Sequence, residues 1–143
     1  MDDASAAFDP RARESYRAWT AIPIRFADQD VLGHVNNVAV ATYLEHARCT
    51  HLIPAMRIHA PGLSTVIARI VIDYLHEMRF PATVDVGVRI TRMGNKSFVI
   101  SGGVFLAQHC CATSEATMVF FDTGQRKSAV PPTALLDALR FMT

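Results

Sequence analysis

The residue types best suited to chemistry gather in one short stretch: Arg25-Phe-Ala-Asp28-Gln-Asp30-Val-Leu-Gly33-His34-Val-Asn36-Asn37. A strand that ends in two aspartates, turns at a glycine and runs into a helix brings a carboxylate close to a helix N-terminus. The free N–H groups of a first helical turn, aided by the helix dipole, stabilise negative charge developing on a carbonyl oxygen. A nearby aspartate can activate water or attack the carbonyl directly.

Such a site limits the bond it can break. Expelling an amine or an alkoxide demands strong general-acid help, whereas a thiol with a pKa of about 8.5 leaves as thiolate near neutral pH. One carboxylate plus backbone donors therefore suits a thioester. A free aspartate, at a pKa of about 3.9, is a poor base, so burial beside the substrate must raise its basicity. Read in isolation, Asp28 and Asp30 are equally ordinary turn and cap residues. His34 is the other titratable group; beside a glycine in a turn it is better suited to hydrogen-bonding local backbone than to acting as a base.

The elements that must position these groups follow from periodicity. Ile22, Ile24 and Phe26 alternate with Trp19, Ala21, Pro23 and Arg25, predicting a strand with the first set on its apolar face. Asn36 or Asn37 caps a principal helix that runs from Val38 to Ile53 and is stopped by Pro54. Val40, Ala41, Leu44, Ala47 and Leu52 form its apolar stripe, which Glu45 and Arg48 interrupt. Four β-branched runs follow, Thr65–Ile72, Thr83–Ile90, Ser97–Ile100 and Thr117–Phe121, each predicted as a strand. The break near Ala107–His109 carries no strong turn dipeptide. Pro131-Pro132-Thr133 opens a short final helix with Leu135, Leu136, Leu139 and Met142 on one stripe. The expected class is α+β, with a mainly antiparallel sheet of about five strands wrapped around one long helix. Residues 1–17 show no sustained period and are expected as a mobile arm, with residues 18–143 as a single domain.

Composition narrows the partners. The net charge is +1 and the Lys and Arg residues are scattered, which leaves no electrostatic footprint for nucleic acid. The stretch between Lys96 and Glu115 is uncharged but too polar for a membrane helix. Cys49, Cys110 and Cys111 have no metal-ligand spacing, and reduced thiols in a cytoplasm fit them best. The acidic start lacks the pattern of a secretory signal. With 50% hydrophobic and 19% charged residues, apolar surface is left over for a partner, and a homo-oligomer is expected.

The stretch from Arg25 to Arg48 resembles the signature of the 4-hydroxybenzoyl-CoA thioesterase-like branch of the hot-dog superfamily. Arg69-Ile-Val-Ile-Asp73-Tyr74, Arg92-Met-Gly94-Asn-Lys96-Ser97-Phe98 and Met118-Val-Phe-Phe-Asp122 resemble that family's later strands in the same order, so the likeness covers about residues 19 to 135.

This resemblance implies a hot-dog fold that pairs into a homodimer or homotetramer with active sites at the protomer interface. It implies an acyl-CoA thioesterase needing no metal or redox cofactor, coenzyme A being part of the substrate. Asp30 falls on the catalytic aspartate, and the Asn37 N–H on the group that polarises the thioester. A second clade carries its carboxylate about two turns further along the helix, where Glu45 stands, so Glu45 is a second catalytic candidate; a structural pairing of Glu45 with Arg48, or of Arg48 with Asp73, is the alternative. Gly33, Asn36 and Val40 fall on substrate-facing positions; the family usually has an aromatic where this chain has Val40, which alters the shape of the acyl pocket. Arg92, Lys96 and Ser97 fall on the turn that typically holds the CoA nucleotide. Two rival readings remain: a dehydratase or hydratase using His34 with Glu45, and an acyl-CoA-binding module without turnover.

Overall fold

The computed structural model describes residues 7–143. The chain forms β1 (Ala18–Pro23), α1 (Asn37–His59), β2 (Leu63–Tyr74), β3 (Thr83–Met93), β4 (Ser97–Leu106), β5 (His109–Asp122), β6 (Lys127–Ser128) and α2 (Thr133–Ala138). The sheet runs in the order β1-β3-β4-β5-β2, with β6 added to β5, and every pairing is antiparallel. This is the expected architecture, an antiparallel sheet wrapped on one long helix.

The alternation that predicted strands also builds the core. Val84, Val86, Val88 and Ile90 of β3 are buried, as are Phe98, Ile100 and Val104 of β4 and Ala112, Ala116, Met118 and Phe120 of β5. Val40, Leu44, Ala47, Leu52 and Met56 of α1 meet them. The helix comes close to the sheet because Gly102 has no side chain: a Cβ there would lie 2.8 Å from the Leu44 side chain. Leu135, Leu139 and Met142 are buried in the same cluster.

Several expectations need correction. β1 stops at Pro23; Ile24 is buried as expected, but Phe26 opens a 3-10 turn (Phe26–Asp28) and is 73% exposed. The helix does not stop at Pro54 but continues to His59. Pro54 and Thr50 are both exposed, so the Thr50 carbonyl that loses its helical partner can be hydrated instead. β4 and β5 are longer than their β-branched runs and meet at a tight turn where Ala107 takes a left-handed φ of 52°, which explains the missing turn signature.

The segment expected as an arm over residues 1–17 is packed where it is described. Tyr16 is buried and makes edge contacts with Phe8, Trp19 and Phe105. The slot it fills is made by two facing glycines, Gly87 and Gly103; a Cβ on either would meet Tyr16 at 2.8 Å. Arg13 lies over the Trp19 ring, 4.5 Å from its centroid, and reaches Asp85 at 3.1 Å.

Candidate active site

The chain enters the site through a rigid hinge centred on Asp28. The Asp28 carboxylate is buried and accepts four hydrogen bonds: from the Arg25 backbone N–H at 2.9 Å, from Arg25 Nε and Nη2 at 3.0 and 2.8 Å, and from the Tyr43 hydroxyl at 2.6 Å. Burial alone would raise this carboxyl's pKa, but the hydrogen bonds from Arg25 and Tyr43 outweigh it and hold the pKa below the ordinary value. Burial, then the bond to Asp28, push the Tyr43 phenol the other way. The first aspartate of the pair is therefore an anchor tying the 3-10 turn to α1.

Its backbone extends the anchor. The Asp28 carbonyl accepts from the Asn36 N–H at 2.8 Å, and the Val35 N–H donates to the Met78 carbonyl at 2.8 Å. Between these ties the turn closes on itself. Asp30 N–H donates to the His34 carbonyl at 2.9 Å, Gly33 N–H donates to the Asp30 carbonyl at 3.0 Å, and Leu32 N–H donates to Asp30 Oδ1 at 2.9 Å. Gly33 sits at a φ of 77°, a conformation that favours glycine.

Asn36 caps the helix: its Oδ1 accepts from the Val38 N–H at 2.8 Å. Asn37 is the first helical residue. Among the described residues its N–H has no hydrogen-bond partner, while its carbonyl accepts from the Tyr74 hydroxyl at 3.2 Å. An unpaired donor at the start of a 23-residue helix is the arrangement that favours a developing oxyanion.

Asp30, His34, Asn37 and Val40 line one cavity of about 340 Å³. Val35, Met78 and Cys111 add apolar lining, and Tyr74, His76 and Glu77 add polar groups. Burial pushes the Cys111 thiol pKa up, keeping it neutral. His34 Nε2 lies 2.7 Å from Glu77 Oε2. The same Nε2 lies 3.1 Å from Arg79 Nη2, which can only donate, so the ring's tautomer decides which of the two contacts is a hydrogen bond. Arg79 Nη2, 3.3 Å from Glu77 Oε1, flanks the same carboxylate.

The other sequence candidates stand elsewhere. Gly33 and Asn36 shape the turn and the helix cap and are not part of the cavity lining. Glu45 is exposed, two turns further along α1. No ion pair joins Arg48 to Glu45 or Asp73 among the described residues; Arg48 is buried, and its Nη1 has no hydrogen-bond partner there. Arg92, Lys96 and Ser97 lie around the β3–β4 hairpin. Ser97 pairs with Val119, which pairs with Val66, eight positions before Tyr74 and roughly 26 Å from it at the usual strand rise. Within one chain, that hairpin and the Asp30 cavity occupy different ends of the sheet.

Sequence reasoning missed His76, Glu77, Met78 and Cys111. They reach the site through pairings between distant segments, and no local pattern marks them. Tyr74 had one signal, its place in the family-like string. No group of three metal-ligating side chains is gathered among the described residues, and no described helix is long and apolar enough to cross a membrane.

Residues 24–139 match the thioesterase-like superfamily. The chain belongs to this family. Among solved structures, the PA5185 protein of Pseudomonas aeruginosa is 29% identical, with a TM-score of 0.84 over 92% of this chain and 95% of that one. A thioesterase of Thermus thermophilus, crystallised with coenzyme A and zinc, is 28% identical, with a TM-score of 0.77 over 89% of this chain and 95% of that one. No curated protein gives a significant match. The thioesterase-like chain thus has the hot-dog architecture that its sequence implied.

Proposed function

We propose that this chain hydrolyses an acyl-CoA thioester to free acid and CoA. The observation that carries the reading is that Asp30 and Asn37, whose N–H has no partner among the described residues, line one cavity. The Asn37 N–H polarises the thioester carbonyl. Asp30 then acts in one of two ways. As a base, it takes a proton from water while the water oxygen bonds to the carbonyl carbon; as a nucleophile, it forms an acyl anhydride that water opens. In either case the C–S bond breaks and its electron pair leaves with the CoA sulfur. The relative from Thermus thermophilus that was crystallised with coenzyme A supports CoA as the carrier.

The rival that joins His34 to Glu45 finds less support, since the partner of His34 is Glu77 and Glu45 lies outside the cavity. In this mechanism His34 supports the turn.

The functional unit in this reading contains a second copy. β2 is twelve residues long and, among the described residues, has a strand on one side only. Val66, Ile67, Ile70 and Val71 are each 37–43% exposed, and because neighbours on a strand point to opposite faces, both faces are uncovered. A long apolar edge of this kind is a template for another strand. Antiparallel two-fold pairing there brings the Leu63 end of one copy beside Tyr74 of the other. It also carries the second copy's Arg92, Lys96 and Ser97 toward the cavity, where they serve the CoA phosphates. The unbridged Cys49, Cys110 and Cys111 support a reducing, cytoplasmic setting.

The test is thiol release from a panel of acyl-CoAs with wild type and Asp30→Asn. Hydrolysis by the wild type and a loss of about 100-fold or more in kcat for the variant are expected, the scale of a positioned proton-transfer group. Unchanged hydrolysis in Asp30→Asn would sink the assignment of Asp30.

A further inference from the structure

We propose that the Tyr74 hydroxyl accepts a hydrogen bond from the first amide N–H of the CoA arm, the one in its cysteamine unit, and so selects thioesters that carry this amide. Tyr74 is then a specificity-determining residue that touches the leaving-group side of the substrate. This inference rests on the thioesterase reading above.

The hydroxyl is already committed as a donor. A carbonyl can only accept, so the 3.2 Å contact with the Asn37 carbonyl takes the Tyr74 proton. What the phenol oxygen offers the cavity it lines is therefore its lone pairs, an acceptor and not a donor. The carboxylates in the same lining have work elsewhere. Asp30 faces the reacting carbon in the mechanism above, and Glu77 lies 2.7 Å from His34 and 3.3 Å from Arg79.

The position of this acceptor matches the geometry of a cysteamine thioester. Adding the 3.2 Å contact to about 3.5 Å between a residue's own nitrogen and carbonyl oxygen puts the Tyr74 oxygen within roughly 7 Å of the Asn37 nitrogen. A thioester whose carbonyl oxygen sits on that N–H carries its first amide nitrogen only a sulfur and two methylenes beyond the carbonyl carbon. One substrate can thus make both hydrogen bonds at once.

The lining also sorts the two sides of the thioester. Val35, Val40, Met78 and Cys111 are buried, whereas Tyr74 is 52% exposed, and His76 and Glu77 of the same cavity are exposed with it. An amide-bearing arm loses least by leaving along the polar, exposed side, since its N–H and carbonyl need partners or water. The Tyr74 hydroxyl stands on that side. A leaving group with no N–H at this place forfeits the bond and leaves the phenol oxygen without its donor.

The experiment takes the acyl group released fastest in the acyl-CoA panel and presents it on N-acetylcysteamine and on 2-mercaptoethyl acetate, whose ester oxygen replaces the amide N–H. Wild type is expected to favour the amide in kcat/KM by about three- to ten-fold, the scale of one neutral hydrogen bond, and Tyr74→Phe to treat the two alike. A slower Tyr74→Phe that keeps the wild-type ratio overturns the proposal, because losing the tie to Asn37 alone slows both substrates equally. A wild type without preference overturns it too. Wild type that releases thiol from no acyl-CoA refutes the thioesterase reading instead. Calorimetric binding of the two hexanoyl thioesters then decides on Tyr74: an amide preference present in wild type and lost in Tyr74→Phe sustains the contact, and equal ratios in the two proteins overturn it.

Discussion

Asp28 and Asp30 are two residues apart and of one type, yet their surroundings assign them different work. Four donors saturate the Asp28 carboxylate, whereas Asp30 accepts one bond from the backbone of its own turn and faces the cavity. Asp28→Asn is expected to cost about 1–3 kcal/mol, the range for disturbing hydrogen bonds to a buried charge. The dependence on pH has a definite sign. The pKa is depressed in the fold, so the carboxylate's contribution is complete above the unfolded value of about 3.9 and is lost as pH falls through the lower folded value. Urea denaturation of wild type and Asp28→Asn should show a stability gap at neutral pH that closes in acid. The sequence displayed both aspartates but could not distinguish them by environment, because Tyr43 and Arg25 define Asp28 only once α1 has docked. The contact of His34 with Glu77 was not legible, since the two meet only when distant segments come together.

At the scale of elements, the strands were legible because alternation and burial agree; Val84, Val86, Val88 and Ile90 are the plainest case. α1 was misjudged at its end for a reason that lies outside local propensity. Proline normally ends a helix through a missing donor and a clash, but met by solvent on an exposed face it costs less than the gain from burying Met56 beyond it. Pro54→Ala restores a donor for the Thr50 carbonyl. Thermal denaturation should show a more stable protein, by about 1–3 kcal/mol from helix propensity, less roughly 0.4–1 kcal/mol for the freedom returned to the unfolded chain. β2 was legible as a strand, but its bare outer edge was not, since the sequence of a strand does not say which neighbours it has.

For the whole molecule, that bare edge is the feature a single chain leaves unexplained. Ile70→Lys puts a charge on it, a device that blocks strand addition. Light scattering during gel filtration should report a dimer or larger assembly for wild type and a monomer for the variant, with thiol release lost alongside. A monomer with full activity would show that one chain suffices. The opposite side of the sheet is already occupied, with Tyr16 seated over Gly87 and Gly103. This contact binds the inheritance of distant parts of the chain together. Two positions in the middle of the sheet are restricted to glycine not by the reaction but by the side chains of Tyr16, Trp19 and Phe105. A lineage that filled the slot would lose the seat of Tyr16 and would have to move Trp19 and Phe105 as well.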